Sequence, residues 1–102
     1  MGLKRRAIPK ELPKKLKFIR SHFSLTLEEL GSKIERELVK LGFPNIKVYT
    51  GSITEFEKGK REPQLPVLLT YAHIANVYVD FLINDNLDLP EKLPASNIYN
   101  KG

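Results

Sequence analysis

The chain has 102 residues, 41% of them apolar, no cysteine, and a formal net charge of +5. That length supports one core and little besides, and the lack of cysteine excludes disulfides, thiolate zinc sites and cysteine nucleophiles together. No apolar run approaches the roughly 20 residues needed to span a bilayer. Met1 to Arg6 lacks the apolar stretch of a secretory signal, and Arg6 stands where a myristoylation motif needs Ser or Thr. The expectation is a soluble, cytoplasmic protein with no membrane partner. Charge is unevenly spread: residues 1–61 carry 15 Lys/Arg against 7 Asp/Glu, and residues 62–102 carry 2 against 5. The basic end is the end a polyanion would meet.

Residues 1–11 form a basic arm with Pro9 and no apolar periodicity. From Leu12 the spacing turns helical, with Leu12, Leu16, Ile19 and Phe23 on one face and Lys14, Lys15 and Lys17 opposite. Pro13 is tolerable only in the first turn, so helix 1 starts there. Thr26 followed by Glu29 is a capping box that opens helix 2 at Thr26 or Leu27. Leu27, Leu30, Ile34, Leu38 and Leu41 keep helical phase as far as Gly42, a C-terminal stop reinforced by Pro44. Gly31 inside that run costs helix stability, which a close helix contact would explain. Glu28, Glu29, Glu35 and Glu37 are accounted for by capping and by pairing with Lys33, Arg36 or Lys40.

After a connector, Val48, Ile53 and Phe56 give residues 48–58 one apolar side, and the rest of that stretch is polar. Lys58-Gly59, followed by Lys60, Arg61 and Pro63, stops this helix 3 at Lys58 with Gly59 left-handed. A two-turn helix is marginal alone and must be held by its neighbours. Short, hydrogen-bonding and next to a basic loop, it suits a DNA major groove. Leu65, Leu68, Leu69, Ala72 and Ala75 then mark helix 4, closed by Asn76, with His73 on its exposed face. Val79, Leu82 and Ile83 point a short helix 5 inward. Beyond Asn84 lies a tail, residues 85–102, in which Leu87, Leu89, Leu93, Ile98 and Tyr99 are free to dock. No alternating strand pattern competes, so the fold class is all-α.

Leu16 and Ile19-Arg20, Thr26 with Glu28-Glu29-Leu30, Ser52-Ile53, Phe56 to Arg61, Pro63, Leu65, Leu68, Ala72, Val77, Asp80 and Leu82 occur in an informative order. In that order residues 12–84 resemble the lambda-repressor-like, Cro/C1-type (XRE family) helix-turn-helix domain. The resemblance implies five helices and sequence-specific binding of double-stranded DNA by a homodimer, usually as a transcriptional repressor. Two departures stand out. Glu35 to Lys47 lengthens the helix 2 to helix 3 connection by about a dozen residues beyond the usual tight turn, and Leu27 occupies a position where the family commonly has Gln.

Carried over residue by residue, the resemblance assigns base reading to Thr50, Gly51, Thr54 and Glu55. It assigns phosphate contacts to Thr26 at the helix 2 N-terminus and to Tyr49, Ser52, Lys58, Lys60 and Arg61. It makes Arg20 and Glu57 a charge pair that orients helix 3. The plain alternative is that Thr50, Gly51 and Ser52 are an ordinary helix N-terminus, and that the charged residues are merely solvated. Catalysis finds no support: His22 and His73 have no acidic or histidine partners nearby in sequence and no glycine-rich phosphate loop exists, so no enzyme, metal or cofactor is expected. A second functional class stays open, an antitoxin-like or adaptor module that binds a protein partner through Leu41, Phe43 or the C-terminal tail.

Overall fold

A computed structural model describes residues 8–94. Five helices follow in order: α1 (Leu12–His22), α2 (Leu27–Lys40), α3 (Thr50–Glu57), α4 (Leu65–Ala75) and α5 (Asp80–Ile83). There is no strand among the described residues. The class is all-α, as the periodicity predicts.

Helix boundaries have local causes. Pro13 lies in the first turn of α1, where its missing N–H has no partner to lose. At the start of α2 the capping box is complete: Thr26 N donates to Glu29 Oε1 at 2.8 Å and Glu29 N donates to Thr26 Oγ1 at 3.0 Å. The first four helices all close in the same way, with a residue at positive φ and paired backbone bonds that satisfy the last carbonyls. Ser24 (φ 53), Gly42 (φ 94), Gly59 (φ 76) and Asn76 (φ 60) hold these positions. After α3, for example, Lys60 N bonds Glu55 O at 3.0 Å and Gly59 N bonds Phe56 O at 3.2 Å. Three of these stops are legible in the sequence; Ser24 is not, because serine carries no left-handed preference.

The core is built from Leu12, Leu16 and Ile19 of α1, Leu30, Ile34 and Leu38 of α2, Ile53 and Phe56 of α3, and Leu68, Tyr71, Ala72 and Ala75 of α4, with Leu82 of α5. α1 packs on α3, α4 and α5, α2 packs on α3 and α4, and α4 packs on α5. Short α3 thus lies between the two N-terminal helices, which supply the order it cannot supply for itself.

Several expectations are corrected. Leu65 is 67% exposed rather than inward: it is the first residue of α4, and the buried face there is carried by Val67, Leu68, Thr70, Tyr71, Ala72 and Ala75. Ile83 ends α5 and is exposed, while Leu82 is fully buried and Val79 packs at the core's edge. Phe23, which extends the phase of α1, falls beyond its last turn and is exposed. His73 is half-buried rather than exposed, and burial pushes its pKa down against the opposing charge of Glu37. The close neighbour of Gly31 is the connector backbone: a Cβ there would stand 3.2 Å from Val48 O.

The stretch after α5 adds to the core. Leu93 is buried and Leu89 packs against the cluster. Lys15 on α1, itself buried, donates to Asn84 O at 3.0 Å and Leu87 O at 2.6 Å. The Asp85 carboxylate accepts from Lys10 N and Glu11 N, both at 3.0 Å, and so caps the entry to α1 from 74 residues away. Ile98 and Tyr99, like residues 1–7 of the basic arm, lie outside the described residues.

Candidate nucleic-acid interface

Two anchors fix α3. On its apolar side Ile53 is fully buried and Phe56 nearly so, with Val48 buried just ahead of the helix. On its polar side Glu57 is 8% exposed and accepts two bonds from Arg20 of α1, Nε to Oε2 at 2.7 Å and Nη2 to Oε1 at 3.0 Å. Arg20 Nη1 also donates to Leu25 O at 3.1 Å, tying the α1–α2 turn into the same arrangement. This two-pronged bond to Glu57 pushes the Arg20 pKa further up, against the effect of partial burial. A planar guanidinium bound through two nitrogens sets direction as well as distance. The charge pair expected from sequence is therefore formed. Beside it the Tyr71 hydroxyl is buried without a hydrogen-bond partner among the described residues, and burial pushes its pKa well up.

The connector that leads into α3 is held by a residue whose role sequence reasoning missed. Glu35 accepts from Val48 N at 2.8 Å; its expected use was a helix-surface ion pair with Lys33, Arg36 or Lys40. Of the other three carboxylates, Glu29 completes the cap and Glu37 pairs with Lys40 at 3.3 Å. Glu35 belongs to the packing between α2 and the connector, which no local spacing could reveal.

The remaining face of α3 is open. Thr50, Gly51 and Glu55 are exposed and Thr54 is half-buried. The Thr54 hydroxyl donates to Thr50 O at 3.1 Å, leaving it an acceptor toward solvent. Tyr49 is 70% exposed and stands at the N-cap position, with no side-chain bond to the first-turn amides. Thr50, Gly51 and Ser52 fall inside the first turn, so none of them is the cap. That leaves amide donors of α3 without a side-chain cap, a polarity suited to an anion.

Lys58, Lys60 and Arg61 are exposed where the chain leaves α3. Gly59 lies against α1: a Cβ there would meet Pro13 Cγ at 3.2 Å. The basic loop and the start of α1, where the basic arm joins, are consequently neighbours. The Arg61 guanidinium is turned back along α3, with Nη1 3.2 Å from Ser52 Oγ and 3.4 Å from Glu55 Oε1. Of the six expected phosphate contacts, Tyr49, Ser52 and Arg61 line one cavity of about 210 Å3 together with Lys47. Lys47 was not anticipated, since in sequence it belongs to a featureless connector. Thr26 does not line this cavity, and its hydroxyl is already engaged in the capping box of α2.

Among the described residues no group of three or more His, Asp or Glu could hold a metal ion, and no helix is long and apolar enough to cross a membrane. Comparison with protein-family models, curated proteins and solved structures gives no match.

Proposed function

We propose that the protein is a sequence-specific DNA-binding transcriptional regulator of the lambda-repressor-like Cro/C1 type, a homodimeric repressor that lays α3 in the major groove. The observation that carries this reading is the mounting of α3. Ile53 and Phe56 are buried, Glu57 is held through two bonds by Arg20, and Thr50, Gly51 and Glu55 are left exposed beside Lys58, Lys60 and Arg61. Thr can donate, accept or meet a thymine methyl, Glu accepts from cytosine N4, and Lys58 and Lys60 supply sequence-independent attraction to phosphate. Random-site selection with the purified protein tests the proposal: an enriched motif with two half-sites about one helical turn apart is expected, and failure to enrich any motif overturns it. Affinity is also expected to fall with salt, with a log–log slope of about 0.9 per phosphate neutralised.

A second reading, a protein-binding module on the same fold, draws on one feature. The lengthened α2 to α3 connection exposes Val39 and Phe43, at 59% and 40%. Exposed apolar side chains suit a protein surface better than a nucleic acid. Retention of DNA binding by a protein with both residues changed to Ser, with loss of a protein partner, would favour that reading for this face.

A further inference from the structure

Arg61 is the basic residue of the loop after α3 whose charged group is committed within the protein. The left-handed turn at Gly59 folds the chain back, and one guanidinium nitrogen then bridges Ser52 Oγ and Glu55 Oε1 at 3.2 and 3.4 Å. Ser52 and Glu55 are three residues apart and share a helix face. In water such a pair is weak, since Arg61 and Glu55 are 59% and 50% exposed. Against a duplex the conditions change: water is displaced, and a bare carboxylate faces both desolvation and repulsion from phosphates.

We infer that Arg61 is a positioning residue that sets base specificity through Glu55, rather than a contact to the phosphate backbone; the inference rests on the DNA-binding reading above. The guanidinium neutralises Glu55 where the groove would repel it and holds Oε1. Oε2 remains an acceptor for an exocyclic amine, and the base this selects in the major groove is cytosine through N4. Ser52 fixes the guanidinium by taking a second bond from the same nitrogen. Lysine in place of Arg61 keeps the charge and can still serve a phosphate as a point charge, but its ammonium lies one bond nearer the backbone than Nη1 and has no rigid plane to hold that nitrogen between its two partners.

The test is a two-by-two set, wild type, Arg61→Lys, Glu55→Gln and the double variant, each titrated against the selected operator and against operators changed at one base pair. Unchanged melting curves confirm that the exposed substitutions leave the fold intact. At the position where Glu55→Gln alters preference, wild type is expected to favour its base by about tenfold, within the usual range for a specific base contact. Arg61→Lys should lower that ratio at least threefold, and should change it no further in the Glu55→Gln background. A uniform loss of affinity for every operator, equal in both backgrounds, overturns the inference and makes Arg61 a phosphate contact. If a motif is selected but Glu55→Gln changes no preference, the inference falls while the DNA-binding reading stands. If wild type selects no motif, the DNA-binding reading falls and takes this inference with it.

Discussion

The Arg20–Glu57 pair joins α1 to α3 through side chains alone. Glu57 is nearly buried and both its oxygens are engaged, so Arg20→Ala strands a desolvated carboxylate and is expected to cost about 2–3 kcal/mol. A double-mutant cycle with Glu57→Ala should give a coupling above the roughly 0–1 kcal/mol of exposed pairs, and strict additivity in chemical denaturation would show that the pair contributes nothing. Backbone conformation yields a second prediction with opposite signs at two sites. Gly59→Ala places a Cβ in the left-handed region and against Pro13, and should destabilise by about 1–2 kcal/mol. Ser24 already bears that penalty at φ 53, so Ser24→Gly should be stabilising by up to about 1 kcal/mol. Melting temperatures of the two variants, one lower and one higher than wild type, are the check.

Among the elements, α1 depends on its distant partner. Its N-cap residue Glu11 makes no side-chain cap bond, and the Asp85 carboxylate instead holds the approach to the helix by accepting from the Glu11 and Lys10 amides, which draw its pKa below the ordinary 3.8. A carboxylate with a depressed folded-state pKa contributes stability above its unfolded value, and that contribution disappears as pH falls through the folded value. Wild type and Asp85→Asn should therefore differ in stability at neutral pH, and the difference should shrink below pH 3.8, the ordinary value. Amide exchange at Lys10 and Glu11 reads the same contact locally: it should quicken in Asp85→Asn at neutral pH, and unaltered exchange would show that the cap is not formed.

At the scale of the whole molecule, the long α2 to α3 connection is only partly covered. Leu38 is fully buried, Leu41 half-buried and Phe43 40% exposed, so the apolar side chains of this segment divide between core and surface. Leu38→Ala should cost about 2–5 kcal/mol, as a fully buried leucine does. On the proposed reading as a dimeric DNA-binding protein, Leu41→Ser with Phe43→Ser should cost less stability but weaken self-association or cooperative operator binding, measured by sedimentation and by titration of two half-sites. An equally associated but early-melting variant would make the segment core alone.

Much of the architecture was legible because it is written in local chemistry. The Thr26–Glu29 capping box, Pro13 in the first turn, and Gly42, Gly59 and Asn76 as stops each act within a few residues, so spacing suffices to read them. Periodicity likewise marked most of the inward faces, down to Leu38 in phase with the core. It failed at Leu65 and Ile83, since helical phase says which residues share a face and not how far the covering neighbour extends. The polar contacts that mount the candidate site could not be read from spacing. Arg20 to Glu57, Glu35 to Val48 N, Asp85 to the start of α1 and Lys15 to the carbonyls after α5 join residues 13 to 75 positions apart. The first was foreseen only through resemblance. The turn of Arg61 back onto Ser52 and Glu55 was decided only in three dimensions, because a hydrogen bond depends on where two atoms meet after the helices have packed.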